Sequence, residues 1–293
     1  MQSIIRTVEQ ESSVNNISYT ALMSVYIKEK PEHLRESLNS LLAQTIRPQE
    51  ILIVEDGLLS DELYDLINTF VKDYPDVFTI VSYSKNHGLW YALRLGVEKA
   101  RNELIMRMDS DDISASNRAE LQLQYMTDHT LCGCCGSIVE EFEGDVDNVI
   151  SLVELPESHE EMVSFSKKRN PMRHPSMMYR KKTILQVGNY REMPFFEDYD
   201  LAMRLIDSGV LLYNIQKPLV SMRVNSGFYQ RRGNKDYLNR MIDFRKECLR
   251  RGWINYTQYL ITVIPHAIVC LLPNCLRQFI YVNLLRKKPR KLL

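Results

Sequence analysis

The sequence predicts an α/β protein: a Rossmann-like, mostly parallel sheet flanked by helices. Two observations carry this. Short apolar runs alternate three times with amphipathic stretches of helical spacing between residues 21 and 108. Polar groups then recur directly after those runs, at Asp56, Asn86 and Asp109. In a parallel sheet the carboxyl ends of the strands share one edge, so these groups are expected to line a single crevice.

The elements follow in order. The apolar run at 21–26 is the first expected strand. Pro31 suits the first turn of a helix whose apolar face is Leu34, Leu38, Leu41 and Leu42. Residues 50–54 are the second strand, stopped at Glu55-Asp56-Gly57. Leu63, Leu66, Ile67, Phe70 and Val71 mark a second helix. Residues 78–81 form the third strand, Leu89, Leu93, Val97 and Ala100 the third helix, and 104–108 the fourth strand. Farther on, Asn117 to Glu120 and Ser158 to Glu161 have capping-box spacing. Residues 131–139 read as a strand rich in small side chains. The span 149–224 is expected to mix strands and loops, and 233–251 to form a polar-faced helix.

With 293 residues the chain can bury a sizeable core. Lysines plus arginines (37) balance aspartates plus glutamates (37), so no global field draws in nucleic acid. Acidic residues gather in the middle and basic ones at the carboxyl end. The Cys132-Gly133-Cys134-Cys135 cluster is too tight for a paired zinc spacing, which points to reduced buried thiols in a cytosolic protein. No signal peptide or full membrane span is expected.

Chemistry concentrates in two acidic stretches. Asp109-Ser110-Asp111-Asp112 follows the fourth strand. Carboxylates crowded at a strand end repel one another unless a cation sits among them, and Mg²⁺ or Mn²⁺ shares such oxygens with diphosphates. Asp109, Asp111 and Asp112 are therefore candidate contacts for a metal and the diphosphate or acceptor it serves, the alternative being a solvated acidic turn capping the next helix. The second stretch is Phe195-Phe196-Glu197-Asp198-Tyr199-Asp200. Desolvation by the aromatics is expected to raise a carboxyl here and suit it to general-base work, with Asp198 as the base, Glu197 beside it, and Asp200 structural. Asp56 is placed to accept from a ribose or base. Lys85, Asn86 and Gly88 open a helix whose amino terminus suits a diphosphate. His174, between Arg173 and Pro175, is a candidate metal or phosphate ligand, and Arg173 and Arg118 are candidate anion contacts.

These residues resemble the family 2 glycosyltransferases, with the nucleotide-sugar fold called GT-A. The matching stretches are Met23 to Tyr26, Ile53 to Gly57, Asn86 with Gly88, Asp109 to Asp112, Arg118, His174 to Ser176 and Glu197 to Leu201. The resemblance implies an inverting, metal-dependent hexosyltransferase using a UDP-sugar, with Mn²⁺ or Mg²⁺ as cofactor. Ser24, Tyr26, Asp56, Lys85, Asn86, Gly88, Asp109 and Arg118 would contact the nucleotide sugar, Asp56 holding the uracil and Asp109 the ribose side. Asp198 would deprotonate the acceptor hydroxyl. Glu55 before Asp56 departs from the family, where one acid followed by a small residue is commoner.

More narrowly, the chain looks like bacterial transferases of O-antigen or capsule synthesis. That likeness implies a galactose or glucose donor and a polyprenyl-diphosphate-linked N-acetylglucosamine (GlcNAc) acceptor. The division expected is an amino-terminal extension at 1–19, a GT-A catalytic domain at 20–230 and a helical extension at 231–293. Residues 259–272 are apolar but interrupted by Pro265 and His266, which suits an interfacial segment. Trp253, Tyr256 and Tyr281 favour interfaces, and the basic tail at 286–291 suits anionic headgroups. The expected location is cytoplasmic, peripheral on the inner face of the membrane. The alternative is a catalytically silent sugar-nucleotide-binding subunit of a polysaccharide assembly complex.

Overall fold

A computed structural model describes residues 17–224, 234–273, 275–277 and 280. Four parallel strands come first: β1 (Tyr19–Val25), β2 (Glu50–Asp56), β3 (Phe78–Tyr83) and β4 (Leu104–Met108). Three helices connect them: α1 (Pro31–Leu42), α2 (Asp61–Asp73) and α3 (Leu89–Lys99). They lie in the order β3-β2-β1-β4. Register pairs Met23 with Met108, Val25 with Glu55 and Asp56 with Tyr83, so all four carboxyl ends meet at one edge.

The remainder departs from a mostly parallel sheet. β5 (Ile113–Ser114), α4 (Arg118–Asp128), β6 (Cys132–Phe142), β7 (Val149–Val153), α5 (His159–Ser166), β8 (Met178–Arg180), α6 (Lys181–Gln186), α7 (Glu197–Asp207) and β9 (Leu211–Arg223) follow. Among the described residues, four strand pairings are parallel and four antiparallel. The sheet is therefore mixed. β8 runs antiparallel to β4 and β6, so the sheet continues past β4 without another crossover helix.

Both faces are covered. Leu34, Leu38 and Leu41 of α1, Leu63 of α2 and Leu123 of α4 pack on one side with Met23 and Ile53. Leu93 and Val97 of α3, Ile184 of α6 and Leu201 of α7 pack on the other with Leu22 and Val54. Pro31 does stand in the first turn of α1, and Ser158 with Glu161 closes a capping box on α5. Asn117 makes no side-chain cap; Glu120 instead accepts from Thr45 Oγ1 at 2.8 Å.

Two further helices, α8 (Lys235–Arg250) and α9 (Tyr256–Leu271), form a third cluster. Met241, Phe244, Cys248 and Cys270 pack there against Phe196 and Tyr199 of the second acidic stretch. Asn255 and Gln258 cap α9 reciprocally, and Arg277 donates to the carbonyls of Cys270 and Leu272 at its far end. Ile261, Ile264, Ile268 and Leu271 form an exposed apolar stripe along α9, which carries no Lys, Arg, Asp or Glu. No helix among the described residues is long and apolar enough to cross a membrane. The extension at 1–16, the boundary at 230/231, Gly233, Tyr281 and the basic tail lie outside the described residues.

Candidate active site

Glu55 and Asp56 end β2 and face opposite sides of the sheet. The Asp56 carboxylate is fully engaged. Tyr83 Oη and the His87 N–H donate to Oδ1 at 3.0 and 2.8 Å. Asn86 Nδ2 and the Gly88 N–H donate to Oδ2 at 3.0 and 2.9 Å. A carboxylate has about four acceptor sites, and here all four are taken. Asp56 thus ties the loop before α3 to the sheet, with both carboxylate oxygens engaged. Gly57 makes the close approach possible: at φ +86°, a Cβ there would sit 2.7 Å from the Asn86 nitrogen. Asn86 belongs to this tether and Lys85 is exposed. Gly88, at φ +90°, is the N-cap of α3. Glu55 is 5% exposed, its carboxylate makes no hydrogen bond or ion pair among the described residues, and it is lifted by burial alone. Ser24 and Tyr26 stand half-buried and exposed at the neighbouring end of β1.

The first acidic stretch turns at the end of β4. Arg107 is 1% exposed inside that strand. Its Nη2 donates to Asp109 Oδ1 at 2.5 Å, while Nε and Nη1 are buried with no hydrogen-bond partner. Asp111 is pushed up to about 7 by burial, then by the charges of Asp109 and Glu29. Ser110 Oγ donates to Glu29. Asp112 is buried and faces away: its Oδ1 accepts the Arg223 N–H of β9 at 2.8 Å. Arg223 also donates from Nε to the Asp111 carbonyl at 3.0 Å. Asp112 Oδ1 thus anchors the turn to β9, while its Oδ2 is buried with no hydrogen-bond partner among the described residues.

Arg118 and His174 both lie inside the fold. Arg118 is fully buried; its Nη2 donates to the Arg107 and Met177 carbonyls at 2.8 and 3.3 Å, and its Nε to Gln122. Burial pulls it down to about 9. It holds the end of β4 against the 3₁₀ turn His174–Ser176 and touches no crevice. His174 is buried in that turn, with Nε2 2.9 Å from Tyr190 Oη, and burial together with Arg107 holds it well below the usual histidine range. Among the described residues no three His, Cys, Asp or Glu side chains converge as a metal cluster. His174 thus does not join Asp109 and Asp111.

The second acidic stretch opens α7. Glu197 is 8% exposed, and burial, then the Asp198 charge, pushes it up to about 8. Arg107 and Asp109 also act on it, so the two acidic stretches share one electrostatic neighbourhood. Asp198 is half-buried; its Oδ2 accepts from Asn170 Nδ2 at 2.8 Å. Asp200 is buried between Arg191 and Arg204, so it is an ion-pair anchor and not only a helix-dipole partner. Asp198 and Arg173 line one cavity of about 410 Å³, walled on its other side by α9.

Arg107, Glu55 and Asn170 carried no role in the sequence reading. Arg107 had a signal, a lone charge within the buried run Leu-Ile-Met-Arg-Met. Glu55 had a weaker one, and Asn170 none.

A family model described as Glycosyl transferase family 2 matches residues 20–188. The chain belongs to that family. This glycosyltransferase is 33% identical over 274 residues to an Escherichia coli protein named UDP-Gal:alpha-D-GlcNAc-diphosphoundecaprenol beta-1,3-galactosyltransferase, covering 92% of this chain and 97% of that one. It is 32% identical over 266 residues to the amylovoran biosynthesis glycosyltransferase AmsE of Erwinia amylovora, covering 90% and 97%. It is a hexosyltransferase by that membership. Its fold is similar to that of Staphylococcus aureus TarS 1–349 in complex with UDP-GlcNAc (TM-score 0.60, 15% identity, 80% of this chain and 67% of that one). It is also similar to a mannosyltransferase of Pyrobaculum calidifontis in complex with GDP-Man and Mn²⁺ (TM-score 0.59, 13% identity, 90% and 73%).

Proposed function

We propose that this glycosyltransferase moves a hexose, galactose first and glucose next, from a UDP-sugar to a lipid-diphosphate-linked GlcNAc with inversion. The observation that carries the reading is the meeting of the two acidic stretches around Arg107. A donor-side acid, Asp109, and the pair Glu197-Asp198 are thereby brought to the strand-end edge. The E. coli relative's printed name supports the galactose and the diphosphoundecaprenol acceptor.

In this reading Asp198 accepts the proton of the acceptor hydroxyl as that oxygen attacks the anomeric carbon from the face opposite the nucleotide. Asn170 holds the carboxylate by one oxygen, which orients it. Glu55 takes the uracil-reading place expected of Asp56, because it is a buried carboxyl at the end of β2 whose oxygens accept no hydrogen bond among the described residues. Ser24 and Tyr26 line the same edge.

The donor set fits a divalent cation. Asp111 is lifted first by burial and then by the charges of Asp109 and Glu29, an environment that a cation beside it would relieve. Asp109 and Asp111 would hold Mn²⁺ or Mg²⁺, which when bound neutralises charge on the leaving diphosphate. The exposed stripe on α9 rests on the inner membrane face, placing the enzyme where a lipid-linked acceptor resides.

The test is transfer from a panel of radiolabelled UDP-sugars to a synthetic GlcNAc-diphosphate lipid with Mn²⁺. Wild type should turn over one UDP-hexose. Asp198→Asn should lose at least about 100-fold in turnover, the scale of general-base removal, while UDP binding is kept. Equal turnover by Asp198→Asn, or by wild type in chelator, would overturn the reading.

A further inference from the structure

The cavity beside Asp198 carries more than the base. Its rim holds Lys168, Arg169, Arg173 and Arg245 against one carboxylate, that of Asp198. Arg245 is fixed: it is 4% exposed, donates to the Lys168 carbonyl at 2.6 Å, and lies over the Tyr199 ring at 5.1 Å. Lys168 and Arg169 are exposed at the mouth. The facing wall is apolar apart from Thr262 and His266. Ile261, Pro265 and Val269 recur at four-residue spacing on α9, and Ile280 completes that side. The wall runs on into the exposed stripe of Ile264, Ile268 and Leu271. A cationic half and an apolar half thus face each other across one space, with the base at its edge.

We propose that this cavity is the cradle for the diphosphate and first isoprenoid units of the lipid-linked acceptor. This rests on the acceptor class proposed above and adds its binding site. Four cations against the one carboxylate of Asp198 leave an excess of positive charge for the two negative charges of a bridging diphosphate, and guanidinium forks suit its oxygens. The α9 wall accepts the adjoining chain, and the stripe carries it outward. An acceptor held this way presents its sugar to Asp198. A sugar nucleotide has no apolar chain for the wall, so the cavity discriminates acceptor from donor.

The full chain, saturated with UDP and Mn²⁺ so that the donor diphosphate site is filled, is titrated with farnesyl diphosphate by calorimetry. UDP binding is recorded first on each variant. Farnesyl diphosphate should bind at least about tenfold tighter than inorganic diphosphate. Lys168→Gln with Arg169→Gln should weaken it at least about tenfold, the loss expected for one charge-assisted hydrogen bond. Ile261→Asn should remove the preference over inorganic diphosphate. Smaller effects, or equal binding of the two ligands, overturn the cradle while UDP binding persists. Loss of UDP binding in wild type would instead sink the transferase reading beneath it.

Discussion

Asp56→Asn is the sharpest perturbation of the donor-side framework. The carboxylate receives two backbone and two side-chain donors. An asparagine keeps one acceptor oxygen and turns the other into an NH₂. If that amide takes the Oδ2 place it faces Asn86 Nδ2 and the Gly88 N–H; in the Oδ1 place it faces Tyr83 Oη and the His87 N–H. Either way a backbone donor loses its partner and a charge near the start of α3 disappears. Two bonds to a charged acceptor, at about 1.5 kcal/mol each, give a loss of about 3 kcal/mol. That corresponds to a drop in Tm of about 6–12 °C for a domain of this size. The assay is urea unfolding followed by tryptophan fluorescence, paired with UDP titration below the transition. A variant within about 1 kcal/mol of wild type that has lost UDP binding tenfold would refute the tether and return Asp56 to the base-reading role.

Glu55→Leu should weaken UDP binding about tenfold by calorimetry and leave unfolding free energy unchanged or higher, since a partnerless buried carboxyl is removed. Unaltered UDP affinity would remove Glu55 from donor recognition. Glu197 bears on pH dependence. Its folded value of about 8 lies above the ordinary 4.5, so the native state holds the proton more tightly than the unfolded chain. The contribution of Glu197 to stability should therefore be fullest below about 4.5 and fall by up to about 1.4 kcal/mol per pH unit as pH rises toward 8. Glu197→Gln should lose that slope, its Tm gaining on wild type from pH 5 to 8.5; parallel Tm curves would count against it. Ile264→Ser with Ile268→Ser changes side chains 53% and 56% exposed, so folding should be kept. Sedimentation with anionic phospholipid vesicles should fall at least about tenfold, from about 0.8 kcal/mol per buried CH₂ lost. Undiminished sedimentation would detach the stripe from membrane binding.

The parallel half of the fold was legible because each strand there is an apolar run and each helix shows its period. Strands β1 to β4 and their three helices fall where hydrophobic spacing puts them. The second half was not, because β6, β8 and β9 pair by register across long separations that local pattern does not encode. The same limit explains the site. Asp109, Asp111 and the Glu197-Asp198 pair were readable as acids at element ends. What distinguishes Asp56 from Glu55 is which face of β2 each takes and what waits there, a loop 30 residues on. Arg118 and His174 looked like ligand contacts because charge on a loop or helix start usually faces solvent. Here both are buried, and their partners are carbonyls and a tyrosine from distant segments.

The seam between α8, α9 and the start of α7 bears on how the carboxyl-terminal helices are studied. Phe244 stacks on Phe196 at 5.2 Å and tilts against Tyr199 at 4.8 Å, so it grips the residues on either side of Glu197 and Asp198. Cutting the chain after Trp253 strips α9 from this seam and uncovers Cys270's neighbours around Met241 and Phe244. A shortened enzyme would thus forfeit turnover along with any hold on lipid, and detergent would not restore it. Because α8, α9 and the start of α7 share one apolar cluster, a better-behaved variant has to come from repainting the outer stripe rather than from scissors.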